Sequence, residues 1–444
     1  MSGRLLGKKF SSFQIIIAGF LAVILIGTFL LTLPVSSGSG DWTPVEDALF
    51  TAVSAVCVTG LVVRDTATYW SAFGQAVILV LIQIGGLGIV SVTAFIATLS
   101  GRKISLLQRN MLQESISAHQ IGGIVKMTSF IFKVAFILEL LGALVMLPVF
   151  CTEYGASGIW MAVFHSVSAF CNAGFDIMGD RTGAFSSLTH FSDRPGILIP
   201  VCLLVICGGI GFLTWDDIAV NGLHLKKYRM QSKVILSVTA ALIIIPAAIF
   251  FFCDFSAYDF KERIWLSLFQ AVTPRTAGFN TADLTSMSGT GHMLTIVLML
   301  IGGSPGSTAG GMKTTTLAVL LANADAVIRR RKSPQLFSRR IEEDVIKSAA
   351  TLLMMYVFLT FTGAFMISVT DKLPFELCIF ETSSAIGTVG LSLGITGSVS
   401  MISRLVLIGL MFLGRVGGLT LMFAAVSSNG REVSQRPLER INVG

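Results

Sequence analysis

The chain has 444 residues, 53% of them hydrophobic and 13% charged, with a mean hydropathy of +0.79 and a formal net charge of +7. Soluble domains carry roughly 25% charged residues, so this composition leaves too little polar surface to cover a core in water, and the natural solvent is a bilayer. Seven scattered cysteines without a C-x-x-C pair and five histidines without ligand spacing argue against a disulfide frame or a metal centre, and no catalytic constellation points to an enzyme.

The first apolar stretch, Phe13 to Leu33, is too long for a signal-peptide core of roughly 7–15 residues. It runs into Pro34 and the turn SSGSG with no small-residue cleavage site. Further stretches long enough to span (about 20 residues) follow at Phe73–Leu99, Phe130–Phe150, Gly196–Leu213, Val234–Phe252, Met293–Leu321, Ile346–Val369 and Leu405–Val426, making eight.

Between the first and second member of each pair lies a semi-apolar segment too short to cross. These read PVEDALFTAVSAVCVTGL, WMAVFHSVSAFCNAGF, WLSLFQAVTPRTAGF and FELCIFETSSAIGTVGL. Each has an apolar face, a Ser or Thr in the middle and a small-residue tract ending on glycine. The glycines, Gly60, Gly174, Gly278 and Gly390, are 114, 104 and 112 residues apart. A recurrence of that period is internal symmetry of the kind membrane transporters use. One such segment alone would read as an ordinary outer loop. Four, each between two spans, predict re-entrant segments, and non-helical backbone at that depth must line a water-filled path or be buried in protein.

The expected fold is therefore all-α and integral to the membrane. Four tandem helix–pore-loop–helix repeats, eight spanning helices in all, surround a single central ion pore with pseudo-fourfold symmetry. The repeats divide at 1–100, 101–222, 223–332 and 333–444, the last carrying a C-terminal cytoplasmic tail.

Charge sets the topology. The two termini and the inter-repeat loops hold 21 of the 32 Lys and Arg, the outer segments hold eight, and Lys133, Lys313 and Arg415 lie within spans. By the positive-inside rule the termini and inter-repeat loops are cytoplasmic. The outer face nets −7, with Glu46, Asp47 and Asp65 among its acids, and the inner face +12. A negative vestibule concentrates cations. The basic inner face is a topology signal that also suits anionic membrane lipids, and it gives no indication of nucleic-acid binding.

The tract IGGSPGSTAGGMKTTT, Ile301 to Thr316, is too rich in helix breakers to continue the seventh span. Gly306–Thr314 nearly matches a nucleotide P-loop, but Met312 separates Gly311 from Lys313 and no strand precedes it, so nucleotide binding is rejected. Arg415 lies mid-span, where a charge costs about 2.5–3.5 kcal/mol on insertion scales. It either faces a water path or pairs with an acid such as Glu139. Glu139 and Lys133 are read as structural, Glu381 and Thr382 as braces of the fourth short helix, and Asp216 and Asp217 as capping or loop residues.

With IQIGGLG (Ile82–Gly88), SAFCNAGF (Ser168–Phe175), PRTAGFN (Pro274–Asn280) and SAIGTVGLSLG (Ser384–Gly394), these tracts make the chain resemble the Trk/Ktr/HKT superfamily of potassium transporters over nearly its whole length. The eight spans and short leading tail resemble the KtrB-like membrane subunits. The resemblance implies potassium uptake across the bacterial cytoplasmic membrane. It also implies a homodimer on a cytoplasmic ring of KtrA-like nucleotide-binding regulatory subunits. The basic loop RRRKSPQLFSRR, Arg329–Arg340, is compatible with that partner.

No covalent cofactor is implied. Potassium is the transported ion, with sodium a candidate activator. Backbone carbonyls replace the ion's water. They are expected from Cys57, Val58, Thr59 and Gly60; Cys171, Asn172, Ala173 and Gly174; Arg275, Thr276, Ala277 and Gly278; and Gly387, Thr388, Val389 and Gly390. In plant relatives serine at the first anchor accompanies sodium transport, so Gly60 implies potassium. The gate implied is the loop 302–316, with Gly302, Gly303, Ser304, Pro305, Gly306, Ser307, Thr308, Ala309, Gly310, Gly311 and Lys313, together with Arg415. Alternatives are a sodium or mixed-cation transporter of the same fold, or a solute symporter of another class.

Overall fold

Backbone that crosses hydrocarbon must satisfy its own hydrogen bonds, and this chain does so almost wholly with helices. The computed structural model describes residues 12–100, 104–116 and 123–417. Helix α1 (Ser12–Thr32) stops before Pro34. The short α2 (Val45–Val56) starts after Pro44, with Glu46 and Asp47 in its first turn, where the helix dipole favours acids. Next come α3 (Ala72–Leu87), α4 (Ile89–Leu99) and α5 (Leu106–Ile116). The long α6 (Ile124–Tyr154) precedes the short α7 (Ser157–Phe170), then α8 (Pro195–Gly209) and α9 (Phe212–Asn221). The long α10 (Met230–Cys253) precedes the short α11 (Phe260–Val272), then α12 (Gly289–Leu300) and α13 (Thr314–Ile328). A hairpin of β1 (Gln335–Leu336) and β2 (Arg339–Arg340) leads to the long α14 (Glu343–Asp371), the short α15 (Phe375–Gly387) and α16 (Met401–Val416).

Among the described residues four helices, α1, α6, α10 and α14, are long and apolar enough to cross a membrane. The continuous spans expected at Phe73–Leu99 and Gly196–Leu213 are not straight: α3 and α4 meet at 94°, α8 and α9 at 98°. The bends fall on Gly88 (φ 84°, ψ 131°) and Gly211 (φ 90°, ψ 143°), dihedrals that a Cβ disfavours. Gly417 ends α16 with nearly the same pair, φ 89° and ψ 130°. The expected span Met293–Leu321 is broken too, non-helical from Ile301 to Lys313. Residues 418–426 of the last expected span, and the tail beyond, lie outside the described residues.

The core sits around the C-terminal ends of the short helices. Ala55, Val56, Ala169, Phe170 and Ala385 are fully buried. Three of the four ends are met by a glycine of the following helix. A Cβ on Gly85, Gly208 or Gly414 would fall within 3.0 Å of the carbonyl oxygen of Val56, Phe170 or Ile386 respectively. This close approach lets three bent or ending helices touch the short helices backbone to backbone.

Two acids expected as vestibule charges turn out to be structural. Asp65 accepts from the amides of Ala67, Thr68 and, across to the next outer loop, Phe185 at 2.8 Å. Asp47 is 2% exposed and accepts from Arg64 Nε and Arg404 Nη1, both at 2.8 Å, tying α2 to the start of α16. Losing one partner of a buried pair costs about 3–5 kcal/mol. Because Arg64 is half exposed, Asp47→Ala is expected to lower stability by about 3 kcal/mol, read as a fall in Tm in detergent, with Asp47→Asn intermediate. On the opposite face Asp217 accepts from the amide of Arg229 and the hydroxyl of Ser232, capping α10.

Candidate functional site

The four short helices end alike. Val58, Asn172, Thr276 and Thr388 all take left-handed φ, 57°, 60°, 69° and 52°. Two residues later Gly60, Gly174, Gly278 and Gly390 have φ of 91°, 66°, 82° and 94°. The glycines meet in a closed circle. A Cβ on Gly60 would lie 3.2 Å from Gly174 Cα, one on Gly174 2.9 Å from Gly278 Cα, one on Gly278 3.3 Å from Gly390 Cα, and one on Gly390 3.0 Å from Gly60 Cα. A hydroxyl in each short helix holds its tract. Ser54 Oγ accepts from Gly60 N at 3.1 Å, and Ser384 Oγ from Gly390 N at 3.0 Å. Ser168 Oγ donates to the Phe175 carbonyl at 2.7 Å, and Thr273 Oγ1 to that of Phe279 at 2.6 Å. The mid-segment Ser or Thr was visible in sequence, but its job was not.

The non-helical stretch is shorter than expected. Cys57 and Cys171 cap α2 and α7 with right-handed helical dihedrals and Gly387 is the last residue of α15, so at these three positions the backbone has not yet turned away from the helix. Arg275, at the same place in the third tract, sends its buried side chain outward to Thr239 Oγ1, 3.2 Å away on α10. In the first, second and fourth tracts the last three residues, 58–60, 172–174 and 388–390, depart from the helix, whereas in the third α11 ends at Val272 and Arg275 lies beyond it together with 276–278. Behind the fourth tract Glu381 accepts from Ser392 Oγ at 2.9 Å and from the Thr396 hydroxyl, fastening α15 to the loop that follows.

Beneath the circle lies the loop between α12 and α13. Thr308 donates through Oγ1 to the carbonyl of Phe170, at the end of α7 (3.1 Å), and through its amide to that of Gly208 (3.2 Å). Ser304 N donates to Gly209 O at 2.9 Å and Phe212 N to Gly306 O at 2.6 Å, placing Pro305 and Gly306 against the bend at Gly211. Gly311 N donates to Gly414 O at 3.2 Å, and a Cβ on Gly311 would meet Gly387 O at 2.8 Å. Gly310 packs on the Thr388 side chain. The turn is closed by Ser307 Oγ on Ser304 O (2.6 Å) and Thr314 N on Gly303 O (3.0 Å), with Gly302 against Gly310 O. Helix resumes at Thr314, so Thr314, Thr315 and Thr316, expected in the loop, are helical.

Two cations hold the loop, Lys313 from within it and Arg415 from α16. Lys313 Nζ donates to the carbonyls of Ala309 (2.8 Å) and Gly310 (3.1 Å). Arg415 donates to the carbonyls of Thr308, Gly85 and Gly86, the last at 3.1 Å. Its alternative partner is otherwise engaged: Glu139 accepts twice from Gln83 Nε2, at 2.9 and 3.2 Å. A cavity of about 210 Å³ lies on one side of the glycine circle, lined by all four glycines with Asp65, Asp176 and Thr396. One of about 340 Å³ lies under the loop, lined by Gly86, Glu114, Ala309, Lys313 and Arg415. The glycine circle and the loop held by Arg415 lie between these two cavities.

The sequence profile of TrkH, described as "Cation transport protein", matches residues 9–234 and 229–433. The chain belongs to this family of cation transport proteins. Similar proteins agree over nearly full length. The "Potassium/sodium uptake protein NtpJ" of Enterococcus hirae is 41% identical, covering 98% of each chain. The "Ktr system potassium uptake protein B" of Bacillus subtilis is 37% identical, covering 94% of this chain and 93% of that one. The crystal structure of "the Potassium Transporter TrkH from Vibrio parahaemolyticus" superposes with a TM-score of 0.72 over 96% of this chain and 87% of that one. At 19% identity it shares the all-helical membrane fold. These TrkH-family relatives are transporters, not enzymes.

Proposed function

We propose that this chain is the ion-translocating subunit of a Ktr-type potassium uptake system in a bacterial cytoplasmic membrane. The circle of Gly60, Gly174, Gly278 and Gly390 carries the reading. Four tracts present backbone at one constriction, and only glycine permits the approach. Carbonyls of the last three residues of each tract would replace the hydration shell of potassium. The Ile301–Lys313 loop, pinned by Arg415, would act as the gate below it. Four pseudo-symmetric repeats, divided as the sequence suggests, account for the recurring short helices and glycines. The charge asymmetry puts both termini in the cytoplasm. A homodimer on a ring of nucleotide-binding regulatory subunits fits a relative described as part of a Ktr system.

The relative named for potassium and sodium favours a second reading, a mixed-cation transporter. Growth of a potassium-uptake-deficient bacterium decides. This chain with a regulatory subunit is expected to restore growth at micromolar potassium. Failure at micromolar with rescue at millimolar potassium would point to the mixed-cation reading, and no rescue at either would overturn the proposal.

The outer vestibule should make uptake pH-dependent. Burial, aided by Asp65, pushes the Asp176 carboxyl up to about 7, so it is mostly neutral at external pH 6 and mostly ionised at pH 8. Its negative charge at the mouth therefore grows with pH and attracts cations more strongly. Rubidium uptake at subsaturating concentration is expected to rise severalfold from pH 6 to 8 in the wild type and to stay flat in Asp176→Asn.

A further inference from the structure

Five carbonyls beneath the glycine circle are held by two cations. The last carbonyls of a helix lack an intrahelical donor, and the bend at Gly88 places Gly85 and Gly86 in that position. Gly85 O keeps a 3.3 Å bond from Gly88 N. Among the described residues, no backbone amide donates to the oxygens of Gly86, Thr308, Ala309 or Gly310. A carbonyl freed from its helix inside the protein needs another donor. Arg415 satisfies Gly85, Gly86 and Thr308, and Lys313 satisfies Ala309 and Gly310. No carboxylate takes part: among the described residues neither cation forms an ion pair.

An ammonium held by carbonyl oxygens alone is in the surroundings that a dehydrated alkali cation takes in a selectivity filter. For any ion to pass, the loop must leave Arg415, and the oxygens of Gly85, Gly86 and Thr308 then need another positive partner, while those of Ala309 and Gly310 become available to an ion only when Lys313, on the same loop, swings away. The ion in transit is that partner, and the 340 Å³ cavity lined by Gly86, Ala309, Lys313 and Arg415 gives it room.

We propose that the carbonyls of Gly85, Gly86, Thr308, Ala309 and Gly310 form an inner binding site for a monovalent cation, which Arg415 and Lys313 fill as tethered substitutes in the present conformation. The inference rests on the ion-path reading above and adds to it a competition. The transported ion and the two side chains exclude one another, so ion occupancy and loop displacement favour each other reciprocally.

Thallium, a monovalent cation with strong anomalous scattering, is the probe, soaked into crystals of the full-length protein. Thallium is expected at the glycine circle in wild type and Lys313→Met alike, with a second peak on the Ala309 and Gly310 oxygens only in Lys313→Met. Lys313→Arg, which keeps a tethered cation, should lack the second peak. A peak at the circle without one at Ala309 and Gly310 in Lys313→Met overturns the inner site and leaves the filter reading standing. A second peak equally strong in wild type overturns the exclusion between ion and side chain. Absence of thallium from the circle overturns the filter reading, and the inner site with it. Should Lys313→Met fail to fold, Arg415→Met is read the same way at Gly85, Gly86 and Thr308.

Discussion

Replacing Arg415 by alanine is expected to accelerate rubidium uptake into proteoliposomes by roughly thirtyfold. Two effects act in the same direction. The guanidinium lies beneath the glycine circle, on the proposed ion path. Two like unit charges about 8 Å apart repel by roughly 2 kcal/mol at an effective dielectric of about 20, which is roughly thirtyfold in rate. The same group also joins Thr308 of the loop to Gly85 and Gly86 of α3, so its removal unpins the loop. Arg415→Lys keeps the charge but cannot span three carbonyls from one planar head, so it should fall between the two. Wild-type or slower flux in Arg415→Ala, at normal expression and assembly, would remove Arg415 from the barrier.

Gly278→Ala is expected to reduce uptake by about 100-fold or more, the rate equivalent of about 3 kcal/mol. The new methyl would fall within 3.0 Å of the Val389 carbonyl oxygen, 3.2 Å from Gly174 Cα and 3.3 Å from Gly390 Cα, all backbone of neighbouring tracts. Backbone cannot rotate away as a side chain can, and φ of 82° is strained for alanine in any case. Gly174→Ala should behave alike, with its Cβ 2.6 Å from Ala277 O. Gly394 is the control: its φ is 91°, but nothing lies within 4 Å of an added Cβ. Gly394→Ala should show only a strain of about 1 kcal/mol in stability and near-normal uptake. Wild-type uptake in purified Gly278→Ala would place the ion path elsewhere.

Much of this site was legible in the sequence because glycine and proline report on backbone directly. The tract from Ile301 to Thr316 announced a broken helix, and the four final glycines announced a common geometry. The bends at Gly88 and Gly211 were missed because hydropathy averages composition and carries no direction. A signal was available in G-G-x-G, which occurs at 85–88 and again at 208–211. Arg415 was legible as a buried charge facing either a water path or an acid, and the acid named as the alternative, Glu139, is not its partner. Sequence reasoning pairs charge with charge, whereas here oxygens freed by broken helices serve as the anionic partner. Arg275 was expected to contribute backbone alone, and its buried side chain on Thr239 had no sequence signal.

The sequence by itself determined the solvent, the order of the apolar segments, and the positions where no side chain is tolerated. Those properties belong to composition and to residue type. Only the tertiary structure decided that four glycines close into one circle, and that a single guanidinium bridges carbonyls of Gly85 and Thr308, 330 and 107 positions away from it. The reason is physical. The groups that do this work are backbone carbonyls, identical in every residue, and they acquire individual roles only when folding removes their helical partners and brings them together.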